Sequence, residues 1–304
     1  MIEIFSKILC MLSVIVIGFF LKKIGIVSRD DFHVLSKILI YVTIPASVIV
    51  NFNGFEMEYS MLILPVLAIV FFLVGCLTGT QLVKGGSRED KAFMVLNASA
   101  FNTGAFTMAF IQALLPSICV VTVMIFDIGN CTSTAVLSYI IASAILEGGK
   151  ARLSLKYIIH ELFRSFVFMM YLTLTIMSML HIGVPEIILA PARLIAPANV
   201  FIAMLAVGVG MEINIQPSER TLLIKALIGR YAVAVVLALI SWFLLPFGHD
   251  IRLAMTLVAF SPATAFGAMH TATLGGNYAL SNTFISVSIL ISTAIMTVLV
   301  LLLI

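Results

Sequence analysis

Leu96-Asn97-Ala98-Ser99-Ala100-Phe101-Asn102-Thr103-Gly104 and Phe260-Ser261-Pro262-Ala263-Thr264-Ala265-Phe266-Gly267 lie inside two long apolar stretches that otherwise read as uniform helices. Both collect Ser, Thr, Asn, Gly or Pro, residues that compete for backbone hydrogen bonds or cannot make them. From Lys91 to Asn102 is 11 residues, a rise of about 16 Å and so roughly half of a 30 Å hydrocarbon core. From Asp250, near the opposite surface, to Pro262 is 12. Two helix-breaking clusters therefore reach the same depth from opposite sides. Lipid cannot satisfy freed N–H and C=O groups, so broken backbone at that depth must be buried in protein or line a wet cavity. One such helix alone would read as a kink; a matched pair points to a cavity.

The rest of the chain agrees with a membrane setting. Of 304 residues 62% are hydrophobic and 10% charged, and the mean hydropathy is +1.20. A soluble domain would have roughly 45–50% apolar and about 25% charged residues. The net charge of +3, set in short clusters between apolar runs, excludes a nucleic-acid-binding surface. Cys10, Cys76, Cys119 and Cys131 lie in apolar runs without C-x-x-C spacing, which indicates neither a zinc site nor a disulfide framework. Gly208-Val209-Gly210 follows no strand and has no P-loop lysine after it, so it is not a nucleotide loop. No Walker motif, metal-ligand cluster or serine-nucleophile elbow is present, and the chain reads as a non-enzyme without a cofactor.

Hydropathy, with charges and Gly/Pro clusters as boundaries, predicts ten spans near 2–21, 32–51, 60–83, 92–114, 117–146, 157–180, 188–211, 222–246, 251–273 and 278–303. The first ends in Lys22-Lys23 and lacks a small-residue cleavage site, so it is a span and not a signal peptide. Lysines and arginines separate cleanly between alternate loops. One set holds Lys22, Lys23, Arg29, Lys84, Arg88, Lys91, Lys150, Arg152, Lys156, Arg164, Arg220 and Lys225, the other only Lys7, Arg193 and Arg252. The first set is cytoplasmic by the positive-inside rule, which places both termini outside. Lys37 and Arg230 are assigned to snorkelling near the cytoplasmic surface, with no functional role. Five spans precede the basic loop around Lys150 and five follow it, so the halves insert with opposite topology, the setting of an inverted repeat. The division is 1–147 for the first repeat, 148–156 for a cytoplasmic linker and 157–304 for the second. Ile44-Pro45-Ala46-Ser47-Val48 in span two is echoed by Ala196-Pro197-Ala198-Asn199-Val200 in span seven.

Asp127, in Met124-Ile125-Phe126-Asp127-Ile128-Gly129-Asn130, is the acid deep in a span, 11 residues past Pro116. A carboxyl at the midplane costs roughly 2.5–3.5 kcal/mol on insertion scales, and marks a functional site by default. Asn130, Thr134 and Ser138 follow it on one helix face, and Asn282, Ser286, Thr293 and Thr297 form a similar interrupted stripe in span ten. Small polar residues of this kind also serve simply to join helices. His270 lies late in span nine and reads as structural.

At these residues the chain resembles the auxin efflux carrier family of membrane transporters, which includes bacterial malate and malonate permeases. The pieces are Lys22-Lys23-Ile24-Gly25, Leu35-Ser36-Lys37, Ile44-Pro45-Ala46, Asn102-Thr103-Gly104, Phe126-Asp127-Ile128-Gly129-Asn130, Gly208 to Gly210 and Ser261-Pro262-Ala263-Thr264. The resemblance implies an all-α integral membrane protein of ten helices in a five-plus-five inverted repeat. Broken helices four and nine cross in it, as in bile acid symporters and sodium/proton antiporters. One departure is Thr107-Met108-Ala109, where the family often has Gly-x-Pro, so the break rests on Asn102 and Gly104.

Half-helices starting after Gly104 and Thr264 would aim their N–H groups and positive dipole ends at the cavity, which suits a carboxylate. The expectation is a secondary transporter of a small mono- or dicarboxylate by alternating access, in a bacterial inner membrane. Asn102, Thr103, Gly104, Ser261, Pro262 and Thr264 would bind the anion. Asp127 and Asn130, with Asn97, Asn282 and Ser286, would hold a coupling proton or sodium ion or support the crossing. Partners are the anion and membrane lipid, with no nucleic acid; a homodimer is allowed. An uncoupled facilitator or channel is the nearest alternative, and a membrane sensor that binds the same ligand without moving it is the second.

Overall fold

The computed structural model describes residues 2–28, 30–148 and 155–304, and among these every regular element is helical. The helices are α1 (Ile2–Lys23), α2 (Asp31–Phe52), α3 (Tyr59–Leu82), α4 (88–98), α5 (103–114), α6 (Ser117–Leu146) and α7 (Leu155–Arg164). After them come α8 (Phe166–Met179), α9 (Glu186–Ile195), α10 (Ala198–Gly210), α11 (Arg220–Phe243), α12 (His249–Ala259), α13 (Ala265–Thr273) and α14 (Tyr278–Leu303). Seven stretches are long and apolar enough to cross a membrane, the α4–α5 stretch among them; α9 and α10, bent by 45°, make an eighth if they are one span. Most of the expected linker, residues 149–154 with Lys150 and Arg152, lies outside the described residues.

Two expected continuous spans are interrupted, each for a local reason. The stretch 157–180 breaks at Ser165, which takes an extended conformation (ψ 112°) and accepts the Phe168 N–H at 3.4 Å as an N-cap. Arg164, with Glu161 and His160 a turn before it, already interrupts the apolar run at this point, so the break carried a sign that a single span over 157–180 passes over. The stretch 188–211 bends at Ala196-Pro197, where proline has no N–H to continue the helix. In α2 the chain solves the same problem differently: Leu39–Thr43 widens to a π turn just before Pro45, which absorbs the missing donor without ending the helix.

The helices pack as two bundles. In one, α1 lies along α10, while α8 and α9 lie against α2. In the other, α3 packs on α6 and α11, α12 on α11 and α6, and α13 on α14 and α4. Each bundle draws helices from both 1–147 and 157–304, so the packing units are not the sequence halves. Between the bundles runs a polar bridge. Gln112 on α5 accepts from Ser47 Oγ at 2.8 Å and from Asn199 Nδ2 at 2.9 Å, and donates to the Ala196 carbonyl at 3.2 Å. The two echoed Pro-containing segments thus meet on one glutamine.

The α3–α6 crossing is fixed by Gly129. A Cβ there would lie 1.9 Å from the Pro65 carbonyl oxygen, a backbone atom with nowhere to go. Gly129→Ala is therefore expected to cost about 3 kcal/mol or more of stability, the upper end of overpacking effects. The check is the unfolding midpoint of the purified protein in detergent; a midpoint equal to the parent's would mean that the helices separate there at no cost.

Candidate functional site: two broken helices that touch

The first break is short. α4 ends at Ala98, Ser99 to Asn102 leave helical geometry, and α5 begins at Thr103. The second runs from Phe260 to Thr264, between the end of α12 and the start of α13. The breaks meet: the Asn102 N–H donates to the Pro262 carbonyl at 2.8 Å, and the Thr107 and Ser261 hydroxyls are 2.6 Å apart. Other freed groups find partners nearby, as burial requires. The Ala263 N–H donates to Ser288 Oγ on α14 at 2.9 Å, and Thr264 Oγ1 accepts from the Phe266 N–H at 3.4 Å, capping its own helix.

Arg230 closes the accounting, and the assignment of this residue to snorkelling is wrong. Its side chain is 5% exposed. It donates to the carbonyls of Ala98 and Ala100, each at 2.8 Å, and to that of Ser261, while its guanidinium lies 5.3 Å from the Phe101 ring centre. The Ala98 carbonyl ends α4, while those of Ala100 and Ser261 lie two residues past the ends of α4 and α12, beside the negative ends of both half-helices. One cation thus faces both negative ends. Arg230 reaches in from α11, lining a small cavity with Gly75, Gly79 and Gly229.

Asp127 is 4% exposed and approaches the crossing from α6. The Thr103 hydroxyl donates to its Oδ1, and Asn130 Nδ2 reaches the same Oδ1 at 2.8 Å, Thr103 Oγ1 at 2.7 Å and the Phe101 carbonyl at 3.0 Å. Asn130 Oδ1 is buried with no hydrogen-bond partner. Gly104 lies in α5 and is not part of the break; it leaves space instead, since a Cβ there would be 2.9 Å from Asp127 Oδ2 and 3.5 Å from the Tyr171 hydroxyl. Tyr171, wholly buried on α8, carries no sequence signal among its aromatic and apolar neighbours and was not foreseen.

The remaining candidates fall into four places. Thr103 and Ser261 are buried, with their hydroxyls engaged inside the crossing, whereas Asn102 and Gly104 are half-buried. Asn97 lies one turn back along α4, donating to Phe93 O at 3.2 Å and Thr271 Oγ1 at 3.1 Å, with its own Oδ1 buried and unpartnered. Asn282 and Ser286 lie elsewhere on α14: Ser286 Oγ donates to the Asn282 carbonyl and accepts the Glu212 N–H, both at 2.8 Å. Thr134 and Ser138 bond to carbonyls one turn back, and Ser138 Oγ is 3.2 Å from His270 Nδ1. Among the described residues no three His, Cys, Asp or Glu side chains come together as a metal site.

An all-helical chain with seven apolar, membrane-length stretches and two broken helices that touch has the form of a membrane transporter. Residues 3–161 match a protein family described as membrane transport protein, more than half of the chain. The chain belongs to this family, that of the auxin efflux carriers, and is an integral membrane protein. The match takes in Asn102, Asp127 and Asn130 and ends before Arg230 and Ser261. No curated protein matches the chain.

Proposed function

We propose that this transporter moves a small organic anion, a mono- or dicarboxylate, by alternating access coupled to a proton or sodium ion. The observation that carries the anion is the placement of Arg230 on the negative half-helix ends. The N-terminal ends of α5 and α13 are the positive poles of the crossing; Asp127 already faces the first through Thr103, so a substrate carboxylate is favoured at the start of α13, and at that of α5 once the acid is neutralised. Asn102, with its side chain half-buried beside the start of α5, is the polar residue best placed to meet it. Asp127 and the Phe101 carbonyl, both held by Asn130 Nδ2, are oxygen donors of the kind that suits a hard cation or a proton. The unpartnered Asn130 Oδ1 favours a bound ion over a purely structural carboxylate.

In this reading the helices form ten spans in a five-plus-five inverted repeat, α7 with α8, α9 with α10 and α12 with α13 each making one. Both termini face outward from a bacterial inner membrane. The substrate site moves with the α3–α6 and α11–α14 bundle against the other.

Uptake of labelled mono- and dicarboxylates into proteoliposomes, with and without imposed proton and sodium gradients, tests the proposal. Asn102→Ala is expected to weaken apparent affinity about 10-fold, the worth of one hydrogen bond to a charged group at the lower end, while leaving the unfolding midpoint nearly unchanged. Uptake that ignores both gradients would favour a facilitator, and binding without any uptake would favour a sensor.

A further inference from the structure

The two half-helices that begin at the crossing differ in their cover. In the proposed orientation α5 runs toward the outer surface, and it is buried from Phe106 to Ile111, packed against α1, α6 and α10. α13 runs toward the cytoplasm and leaves Phe266 41% and Met269 50% exposed. The outer cover carries the polar bridge. Ser47 on α2 and Asn199 on α10, both wholly buried, offer an O–H and an N–H to the other bundle, and Gln112 Oε1 accepts both, at 2.8 Å and 2.9 Å. Gln112 Nε2 donates in turn to the Ala196 carbonyl at 3.2 Å, at the bend between α9 and α10. Ten residues separate Asn102 from Gln112, which sets the bridge about 15 Å outward of the crossing.

We propose that Gln112 is a positioning residue that latches the two bundles shut on the outer side, and that this structure is the state open to the cytoplasm. This rests on the reading that the bundles move against each other during transport. Parting α5 from α2 and α10 withdraws Gln112 from the Ser47 hydroxyl, the Asn199 N–H and the Ala196 carbonyl at once. Left dry, each of those groups is penalised; water entering from outside replaces the glutamine on all three. The bundles therefore part only as the outer route hydrates. The latch favours the closed state by the net worth of three exchanged hydrogen bonds, a bias of about tenfold or more, which differential binding of a ligand to the two states can overcome. A neutral amide also leaves no fixed charge in the opened route to hold back an anion.

Thiol labelling tests the latch and needs no substrate. Met108 on α5 is wholly buried, with the Tyr171 hydroxyl of the opposite bundle 4.0 Å from its Sδ, so a thiol there becomes reachable when the bundles part. Met108→Cys is introduced with Cys10, Cys76, Cys119 and Cys131 replaced by alanine. Met255→Cys is the control for general loosening, since Met255 is wholly buried on α12, which packs on α11 and α6 of its own bundle. A membrane-impermeant maleimide is applied to each face of sealed vesicles in turn. With Gln112 in place, Met108→Cys is expected to react slowly from the outer face, yet faster than Met255→Cys. Gln112→Ala is expected to raise the outer-face rate about tenfold or more and to leave Met255→Cys unchanged. Ser47→Ala, which removes one of the three bonds, is expected to raise it less, and to give no further rise once Gln112 is alanine. Equal rates with and without Gln112 overturn the latch and leave the moving bundles standing. A matching rise at Met255→Cys means a loosened fold and overturns the latch as well, as does a Gln112→Ala rate that rises from the inner face instead. Met108→Cys that reacts no faster than Met255→Cys in every variant overturns the movement of the bundles, and the latch with it.

Discussion

Arg230→Ala is expected to abolish stable folded protein, or to lower its unfolding midpoint more than any other single substitution at the crossing. The guanidinium holds the carbonyls of Ala98, Ala100 and Ser261. Alanine leaves three acceptors in a buried site where neither lipid nor a neighbouring N–H replaces the lost donor. Breaking a buried charged network by removing one partner typically costs about 3–5 kcal/mol, and freed carbonyls at membrane depth are among the least tolerated defects. Arg230→Lys keeps the charge and loses the planar fork, so one ammonium can no longer reach three carbonyls on two chain segments; it is expected to fall between parent and alanine. Thermal unfolding of the purified protein in detergent measures both. An alanine variant within about 2 °C of the parent, a shift worth about 1 kcal/mol for a chain of this size, would show that the half-helix ends are satisfied some other way.

Asp127→Asn is expected to give the largest loss of transport with the least damage to the fold. The amide has the shape of the carboxyl, its oxygen still accepts from Thr103 and Asn130, and its nitrogen takes the place of Oδ2 beside Tyr171. Only the charge is removed. Ion-driven uptake is expected to fall about 10- to 100-fold, the equivalent of ~1.5–3 kcal/mol for a hydrogen-bonded charged group. Any uptake that remains is expected to lose its dependence on pH and sodium. Proteoliposome uptake under each gradient, alongside substrate binding at equilibrium, separates coupling from binding. Normal uptake with the parent's ion dependence would make Asp127 a packed polar residue and place the coupling site elsewhere.

The helix boundaries were legible because hydropathy and charge mark them: 117–146 was read as one span, and α6 is Ser117–Leu146. The meeting of the two breaks was legible from depth, since residue counts at 1.5 Å each place Asn102 and Pro262 level, and their backbones bond to each other. The same count applied to Arg230, ten residues past Arg220, gives about 15 Å and would have placed it at the crossing too. It was set aside because a basic residue inside a span usually reaches back to the surface. Ser288 was missed for a different reason. The polar stripe on α14 was drawn through Ser286, and two residues along a helix turn the side chain about 200° away, so the serine that holds Ala263 lies on another face. Tyr171 could not be found from sequence, because its place beside the site depends on which helix of another bundle lies opposite.

The acid and the base of the crossing come from different ends of the gene product. Asp127 lies within the first 161 residues, the part that carries the family's match, and Arg230 lies beyond it. A polypeptide ending there would possess the carboxylate and the first break, yet the Ala98 and Ala100 carbonyls would have no guanidinium to receive them. Two copies of that piece could not substitute for the whole, for each would bring the same deficit to the other. The crossing thus divides its labour along the chain, the earlier part keeping the buried acid and the later part the rivet that joins the two breaks.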